Sequence, residues 1–241
     1  MSADADILFV SDLHLDPEQP DINRHFVDFL ETRARRARVL YILGDLFEIW
    51  LGDDDDPESL EPALSTLRRV ARDTRVYLMH GNRDFLIGDA FARNHNLQLI
   101  DEPHLITLGD QRIALMHGDL LCTDDTEYQD FRARVRTESW QRDFLSRPLS
   151  ERRDIARSLR RQSSEAMRGK ADNIMDVNAQ AVEDYFGRLR VDGIIHGHTH
   201  RPGIHSIAKD RTRYVLGDWR PEPSFLRWSA GNLSLHDRRC P

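Results

Sequence analysis

The chain has 241 residues, a length that suits one large domain or a domain with an insertion and can bury a sizeable core. With 39% hydrophobic and 31% charged residues it reads as a soluble, folded protein with much polar surface, not a disordered one. Its formal charge of -7 argues against a nucleic-acid partner, and no stretch approaches the roughly 20 apolar residues of a membrane span.

The first hundred residues alternate between strand and helix patterns. Ile7–Val10 is a short apolar run. Asp21 can cap a helix with Ile22, Phe26, Phe29 and Leu30 on one face. Val39–Leu43 is a second run, Pro57 can start a helix through Leu60, Leu64, Leu67 and Val70, and Val76–Met79 is a third run. This order implies an α/β sheet with parallel strands. Leu105–Leu108 and Ile113–Met116 flank Gly109-Asp110 as a hairpin. From about Asp124 to Arg190 only helical signals occur, with Pro148 as a break. Strands return at Gly193–Ile195, Arg213–Leu216 and Phe225–Trp228. The helical block at about 124–190 reads as an insertion in a single domain spanning 1–241.

Charge is uneven along the chain. Phe131 to Lys170 carries twelve Arg or Lys against five Asp or Glu, a local +7, which leaves -14 for the rest. Cys122 and Cys240 form no disulfide framework, and a reducing compartment is the simplest expectation. The opening MSADADILFV places acids where a secretion signal needs bases.

Five apolar runs end in chemistry-bearing turns. Ile7–Val10 leads to Ser11-Asp12-Leu13-His14, and Val39–Leu43 to Gly44-Asp45. Val76–Met79 leads to His80-Gly81-Asn82-Arg83-Asp84, and Ile113–Met116 to His117-Gly118-Asp119. Gly193–Ile195 leads to His196-Gly197-His198-Thr199-His200. Ligand sites of α/β sheets gather beyond the carboxyl ends of strands. Asp12 and His14, like His198 and His200, are two apart, so in extended backbone they face the same way. Imidazole and carboxylate without thiolate suit divalent ions such as Mn, Fe or Zn, and a shared aspartate suits a two-metal site. Taken singly, each motif also serves as a turn or a packed strand end. The His-Gly-His-Thr-His run and the ordered set of five are harder to explain structurally.

In this order the motifs Asp-x-His, Gly-Asp, Gly-Asn-x-Asp, His-Gly-Asp and Gly-His-x-His resemble the calcineurin-like metallophosphoesterases. The resemblance implies a four-layer α-β-β-α sandwich with a helical lid insertion and two metals at the strand ends. Asp12, His14, Asp45 and His200 would hold one ion, and Asp45, Asn82, His117 and His198 the other, with Asp45 bridging. A hydroxide activated by the two metals would attack phosphorus in line. Asp84 and Asp119 are expected to orient ligands. His196 either supports the metal site or packs.

Arg83 departs from that broad pattern, in which histidine stands at this position as the proton donor to the leaving group. Arginine keeps its proton and instead clamps phosphate oxygens. It therefore suits a leaving group that needs no proton, such as the phosphate monoester released from a pyrophosphate.

A narrower resemblance agrees. It rests on Gly44–Trp50 followed by Gly52-Asp53-Asp54, His117-Gly118-Asp119 with Cys122–Asp125, Ile174–Asn178, and His198–Pro202. These segments are similar to the UDP-2,3-diacylglucosamine hydrolases of lipid A synthesis. That implies cleavage of the UDP-sugar pyrophosphate to UMP and 2,3-diacylglucosamine 1-phosphate, usually with Mn2+. It assigns Asn82, Arg83 and His198 to catalysis, and places these three with Asp125, Tyr128, Arg160, Ser163 and Lys170 at the substrate. Met167 stands where asparagine is expected. Phe131, Trp140, Phe144 and Leu145 offer apolar contacts for acyl chains or glue the insertion to the sheet. The arginines meet the diphosphate, an anionic membrane surface, or plain solvent. The Asp53–Asp56 run reads as a solvated loop near the cleft. The resemblance implies a cytoplasmic protein held peripherally at the inner membrane, with no obligate protein partner. Two readings compete with it: another phosphodiesterase or nucleotide pyrophosphatase of the same broad family, and a scaffold that keeps the fold but binds a protein.

Overall fold

The structure is a computed structural model that describes residues 6–55, 57–167 and 176–240, with side chains left out at 162–167. Two sheets carry it. The first has the order β11-β10-β1-β2-β3-β4, formed by β1 (Ile7–Val10), β2 (Val39–Leu43), β3 (Arg75–Met79), β4 (Gln98–Ile100), β10 (Phe225–Ser229) and β11 (Asn232–His236). The second has the order β5-β6-β7-β9-β8, formed by β5 (His104–Leu108), β6 (Gln111–Leu115), β7 (Gly193–His196), β8 (Gly203–Ala208) and β9 (Arg211–Val215).

Strand periodicity makes the layers. Along β1 and β2, Ile7, Phe9, Val39, Tyr41 and Leu43 face a core shared with Ile113, Leu115 and Ile195 of the second sheet. The alternate residues Leu8, Val10, Leu40 and Ile42 pack under α1 (Pro20–Thr32), α2 (Glu61–Val70) and α3 (Asp89–His95). On the far side, Ala114, Met116 and Ile194 bury against Val182 and Phe186 of α7 (Ala179–Leu189). This is the four-layer α-β-β-α order. Strands buried on both faces read as continuous apolar runs, which is why they stood out in the sequence.

The expected parallel sheet holds for β1, β2, β3 and β4, while β10 and β11 extend it antiparallel. The Gly109-Asp110 hairpin joins antiparallel β5 and β6. Asp21 does not cap α1. Pro20 opens that helix, Gln19 occupies the cap without a side-chain bond, and Asp21 lies in the first turn.

Between β6 and β7 run α4 (Thr126–Val135), α5 (Glu138–Leu145), α6 (Leu149–Met167) and α7. Asp125, Thr137 and Asn178 cap α4, α5 and α7 through side-chain oxygens. Pro148 separates α5 from α6, as expected of a residue that cannot continue a helix. Among the described residues, no helix is long and apolar enough to cross a membrane.

Candidate active site

The five chemistry-bearing turns converge, although they leave two different sheets. β1, β2 and β3 deliver Asp12, His14, Asp45 and Asn82 from the first sheet, and β6 and β7 deliver His117, His198 and His200 from the second. The backbone that presents them is not extended, contrary to the sequence expectation. Asp12, His14, Asp45, His198 and His200 all have φ between 52° and 66°. Left-handed backbone is costly for residues with a Cβ and clusters at functional sites. Ladder-like bonds hold it here: Asp12 N–H donates to Gly44 O at 3.1 Å and His14 N–H to Asp45 O at 3.0 Å. Close approach matters at Gly81, where a Cβ would collide with the Asp45 carboxylate.

Among the described residues, two groups of donor atoms each lie within 4.8 Å of one another: Asp12, His14 and His200, and Asp12, Asp45 and His117. His14 Nε2 is 3.3 Å from His200 Nε2, and His200 Nε2 is 3.3 Å from Asp12 Oδ1. Asp45 straddles the groups, with Oδ2 3.9 Å from His14 Nε2 and Oδ1 3.8 Å from His117 Nε2. Asn82 Oδ1 is 2.9 Å from both His117 Nε2 and His198 Nδ1. All seven residues expected as metal ligands therefore meet in one place.

The electrostatics call for a cation. Asp12, His14, Asp45 and His117 are buried, and Asp12 Oδ1 makes no hydrogen bond. Burial outweighs the help of His117 and His14 at Asp45 and raises its carboxyl above the usual range. At His117 burial works against the charge, but Asp45, Asp12, Asp119 and Glu102 overcome it and push the imidazole up to about 9. His198 moves the other way, to about 4, through burial and the neighbouring His117 charge. Oxygen and imidazole donors crowded together with an orphaned buried oxygen fit divalent metal ions.

A second ring of residues fixes the first. Asp84 accepts from the backbone N–H of Gly81 at 2.8 Å and of Leu46 at 2.7 Å, which orients the Asp45 turn. His196 is fully buried, with Nδ1 2.9 Å from Gly197 O and Nε2 3.1 Å from Arg213 Nη1, so it braces the turn that carries His198. Burial and the Arg213 charge hold it at about 3. Asp119, expected to orient a neighbouring ligand, anchors the turn that carries His117 to α4. Its Oδ2 accepts from Tyr128 Oη at 2.5 Å and Arg132 Nε at 2.7 Å.

Sequence reasoning missed several residues of this ring. Glu48 Oε2 is 3.0 Å from His14 Nδ1, and Glu48 Oε1 is 2.5 Å from Arg160 Nη2 and 3.9 Å from Arg83 Nη1. Burial pushes the Glu48 carboxyl up, but His14, Arg83 and Arg160 hold it at about 2. The Glu48 signal lay inside the Gly44–Trp50 motif without an assigned role. Glu102 accepts from His117 N–H at 2.8 Å and pairs with Arg132 at 3.2 Å, and neither residue carries a sequence signal.

A cavity of about 530 Å3 opens over the cluster. Asn82, Arg83, Asp125, Tyr128, Arg160 and His198 all line it, as do His14, Asp45, Glu48 and His200. Asp125 also spends Oδ1 on Tyr128 N–H as the α4 cap. Beyond the polar end, the wall turns apolar with Trp50, Phe85, Phe131, Trp140, Phe144 and Leu159. Leu145 lies outside that wall and is 41% exposed. The side chains of Ser163 and Met167, and all of Lys170, lie outside the described residues.

Calcineurin-like phosphoesterases are the class with this fold and this donor set. Their family model matches residues 5–202, and the chain belongs to that family, a family of metal-dependent hydrolases. Among curated relatives, a UDP-2,3-diacylglucosamine hydrolase of Chromohalobacter salexigens is 50% identical over 218 residues, 89% of each chain. Proteins of the same name from Aromatoleum aromaticum and Sodalis glossinidius are each 45% identical, over 92% and 95% of this chain and 92% and 97% of their own.

Proposed function

We propose that this chain hydrolyses the pyrophosphate bond of UDP-2,3-diacylglucosamine, releasing UMP and 2,3-diacylglucosamine 1-phosphate, with two divalent ions, Mn2+ by preference. The carrying observation is the cavity, which joins a cluster of metal-ligand type to an aromatic wall, with arginines, Arg83 and Arg160 among them, in its lining. A diphosphate flanked by a nucleotide and two acyl chains needs those three features together. The names of the relatives agree.

Asp12, His14, Asp45 and His200 would hold one ion, and Asp45, Asn82, His117 and His198 the other. When bound, such a pair supplies an activated water and withdraws charge from phosphoryl oxygens. Arg83 then clamps the diphosphate. Its backbone N–H donates to Asp45 Oδ1 at 2.8 Å, and Glu48 stands beside its guanidinium, so backbone and side chain are both placed before substrate arrives. The departing phosphate monoester is weakly basic and leaves without a proton, which is why arginine suffices. Asp125, Tyr128, Arg160, Ser163 and Lys170 are assigned to the substrate. The helices α4 to α6 act as the lid, and their aromatic side chains receive the acyl groups.

Such a substrate is part lipid, so the enzyme works peripherally at the cytoplasmic face of the inner membrane. Exposed Ile49, in the segment after β2, exposed Leu145 at the end of α5, and the solvated arginines of α6 suit contact with an anionic surface. Phosphorus NMR with Mn2+ tests the reading, with UDP-2,3-diacylglucosamine beside unacylated UDP-N-acetylglucosamine. UMP and a sugar 1-phosphate are expected from the acylated substrate alone. No turnover by a chain with metal bound would overturn it.

A further inference from the structure

The acidic run that reads as a solvated loop has three separate structural uses. Asp53 accepts from Gly88 N–H at 2.9 Å and Phe91 N–H at 2.8 Å at the start of α3, and from Trp50 Nε1 at 3.3 Å. Asp54 receives Arg152 of α6 on both oxygens, Oδ1 from Nη1 at 2.8 Å and Oδ2 from Nη2. Asp55 receives the next residue, Arg153, at 2.9 Å.

Arg152 is the unusual member. It is 2% exposed, although its helix carries a row of solvated arginines. Its Nη1 also donates to Leu51 O at 2.5 Å, and its Nε to Arg147 O at 3.1 Å. One guanidinium thus bonds the core loop and the turn that leads into its own helix. Gly52, at φ 129°, allows this, because a Cβ there would strike the guanidinium and Leu145. A fork of fixed donors can satisfy a carboxylate and two carbonyls at once, and a lysine ammonium cannot match that geometry.

Arg152 itself does not line the cavity, but the segments that it joins do. Glu48 to Leu51 form one wall just before the loop, and Ala156, Leu159 and Arg160 form another further along α6. Arg160 then reaches back to Glu48, so α6 is tied to this segment on both sides of the apolar wall. We propose that the Arg152–Asp54 pair is a positioning clasp. It fixes α6 against the Trp50–Asp55 loop and sets the apolar side of the cavity for the acylated substrate. The clasp rests on geometry alone, and its effect on binding rests on the substrate reading above.

The test uses the full chain and the variants Arg152→Lys and Asp54→Asn. Arg152→Lys keeps the buried charge where Asp54→Asn risks misfolding. Three quantities are measured: amide hydrogen exchange, Mn2+ bound per chain, and KM and kcat on UDP-2,3-diacylglucosamine. In Arg152→Lys, α6 amides are expected to exchange at least about tenfold faster while β1–β3 amides keep their protection. Mn2+ binding stays unchanged, and KM rises about tenfold or more with kcat within about threefold. Unchanged α6 exchange overturns the clasp. So does a joint fall of metal binding and kcat, which is what a merely structural role would give. Selective loosening of α6 in a chain whose wild type leaves the lipid uncleaved supports the clasp and defeats the substrate reading.

Discussion

The Tyr128 hydroxyl donates to Asp119 at 2.5 Å, which bonds α4 to the turn that carries His117. Its ring stacks on His198 with centroids 6.0 Å apart, so this tyrosine braces both sides of the second-sheet half of the site. Tyr128→Phe keeps the stack and loses the bond. Asp119 retains Arg132, so the cost should fall near the low end of the roughly 1–3 kcal/mol for an unmet buried partner. Tm should drop by about 2–4 °C, with kcat/KM changed less than about threefold. Thermal melts and initial rates check this. A raised KM at constant Tm would show that the hydroxyl, and not only the ring that lines the cavity, serves the substrate.

Arg83 faces Glu48 at 3.9 Å from the cavity wall, in the position where a proton-donating histidine would serve a poorer leaving group. Arg83→His should lose about 100–1,000-fold in kcat/KM on the pyrophosphate, the scale for removing a donor aimed at developing charge. It should gain cleavage of alkyl phosphodiesters. Parallel assays on both substrates decide the matter. Intact pyrophosphate cleavage with no diester gain would remove the leaving-group argument.

Metal should stabilise the fold as well as enable reaction. The cluster buries Asp12 and Asp45 beside three imidazoles, and Asp12 Oδ1 makes no hydrogen bond. An ion at about 100 times its Kd adds about 2.7 kcal/mol, which is roughly 5–10 °C in Tm for a chain of this size. Scanning calorimetry of chelator-treated protein, with and without added Mn2+, measures the shift. Asp45→Asn should abolish most of it, because that residue faces both donor groups. A Tm indifferent to metal would count against the assignment.

Trp140 stacks on Phe144 with centroids 4.9 Å apart and lies 6.1 Å from Phe85, forming the aromatic wall. Trp140→Ala should raise KM for the acylated substrate roughly tenfold, equal to about 1.4 kcal/mol of lost apolar burial, and leave kcat near wild type. Initial rates over a series of shorter acyl chains should show the difference shrinking. An equal penalty at every chain length would mean that the wall serves packing alone.

The residues that converge in the donor cluster were legible because they punctuate apolar strands, and strand ends are short-range features. Asp84 as an orienter and the Gly109-Asp110 hairpin were legible for the same reason. The left-handed backbone at Asp12, His14 and the partner histidines was not, since spacing by two reads as extended until the neighbouring turns are known. Nor could spacing reveal that Asn82 and His117 come from different sheets. Arg152 and Arg132 were hidden differently. Among so many arginines in a helical block, only tertiary packing distinguishes the buried one from its solvated neighbours. Glu102 faced the same obstacle, since its hydrogen bonds to the His117 turn depend on how the second sheet is set.

That division of the ligands between two sheets has a mechanical consequence. Asp12 and His200 stand far apart in the chain, on separate layers whose shared core is apolar and whose turns meet at the site through bonds such as His198 N–H to Asp12 Oδ2 at 2.9 Å. An ion held by both would act as a rivet through the sandwich. It would resist shear between the layers in a way that side-chain packing does not. Demetallated protein should therefore yield first along that plane, with each sheet still paired within itself.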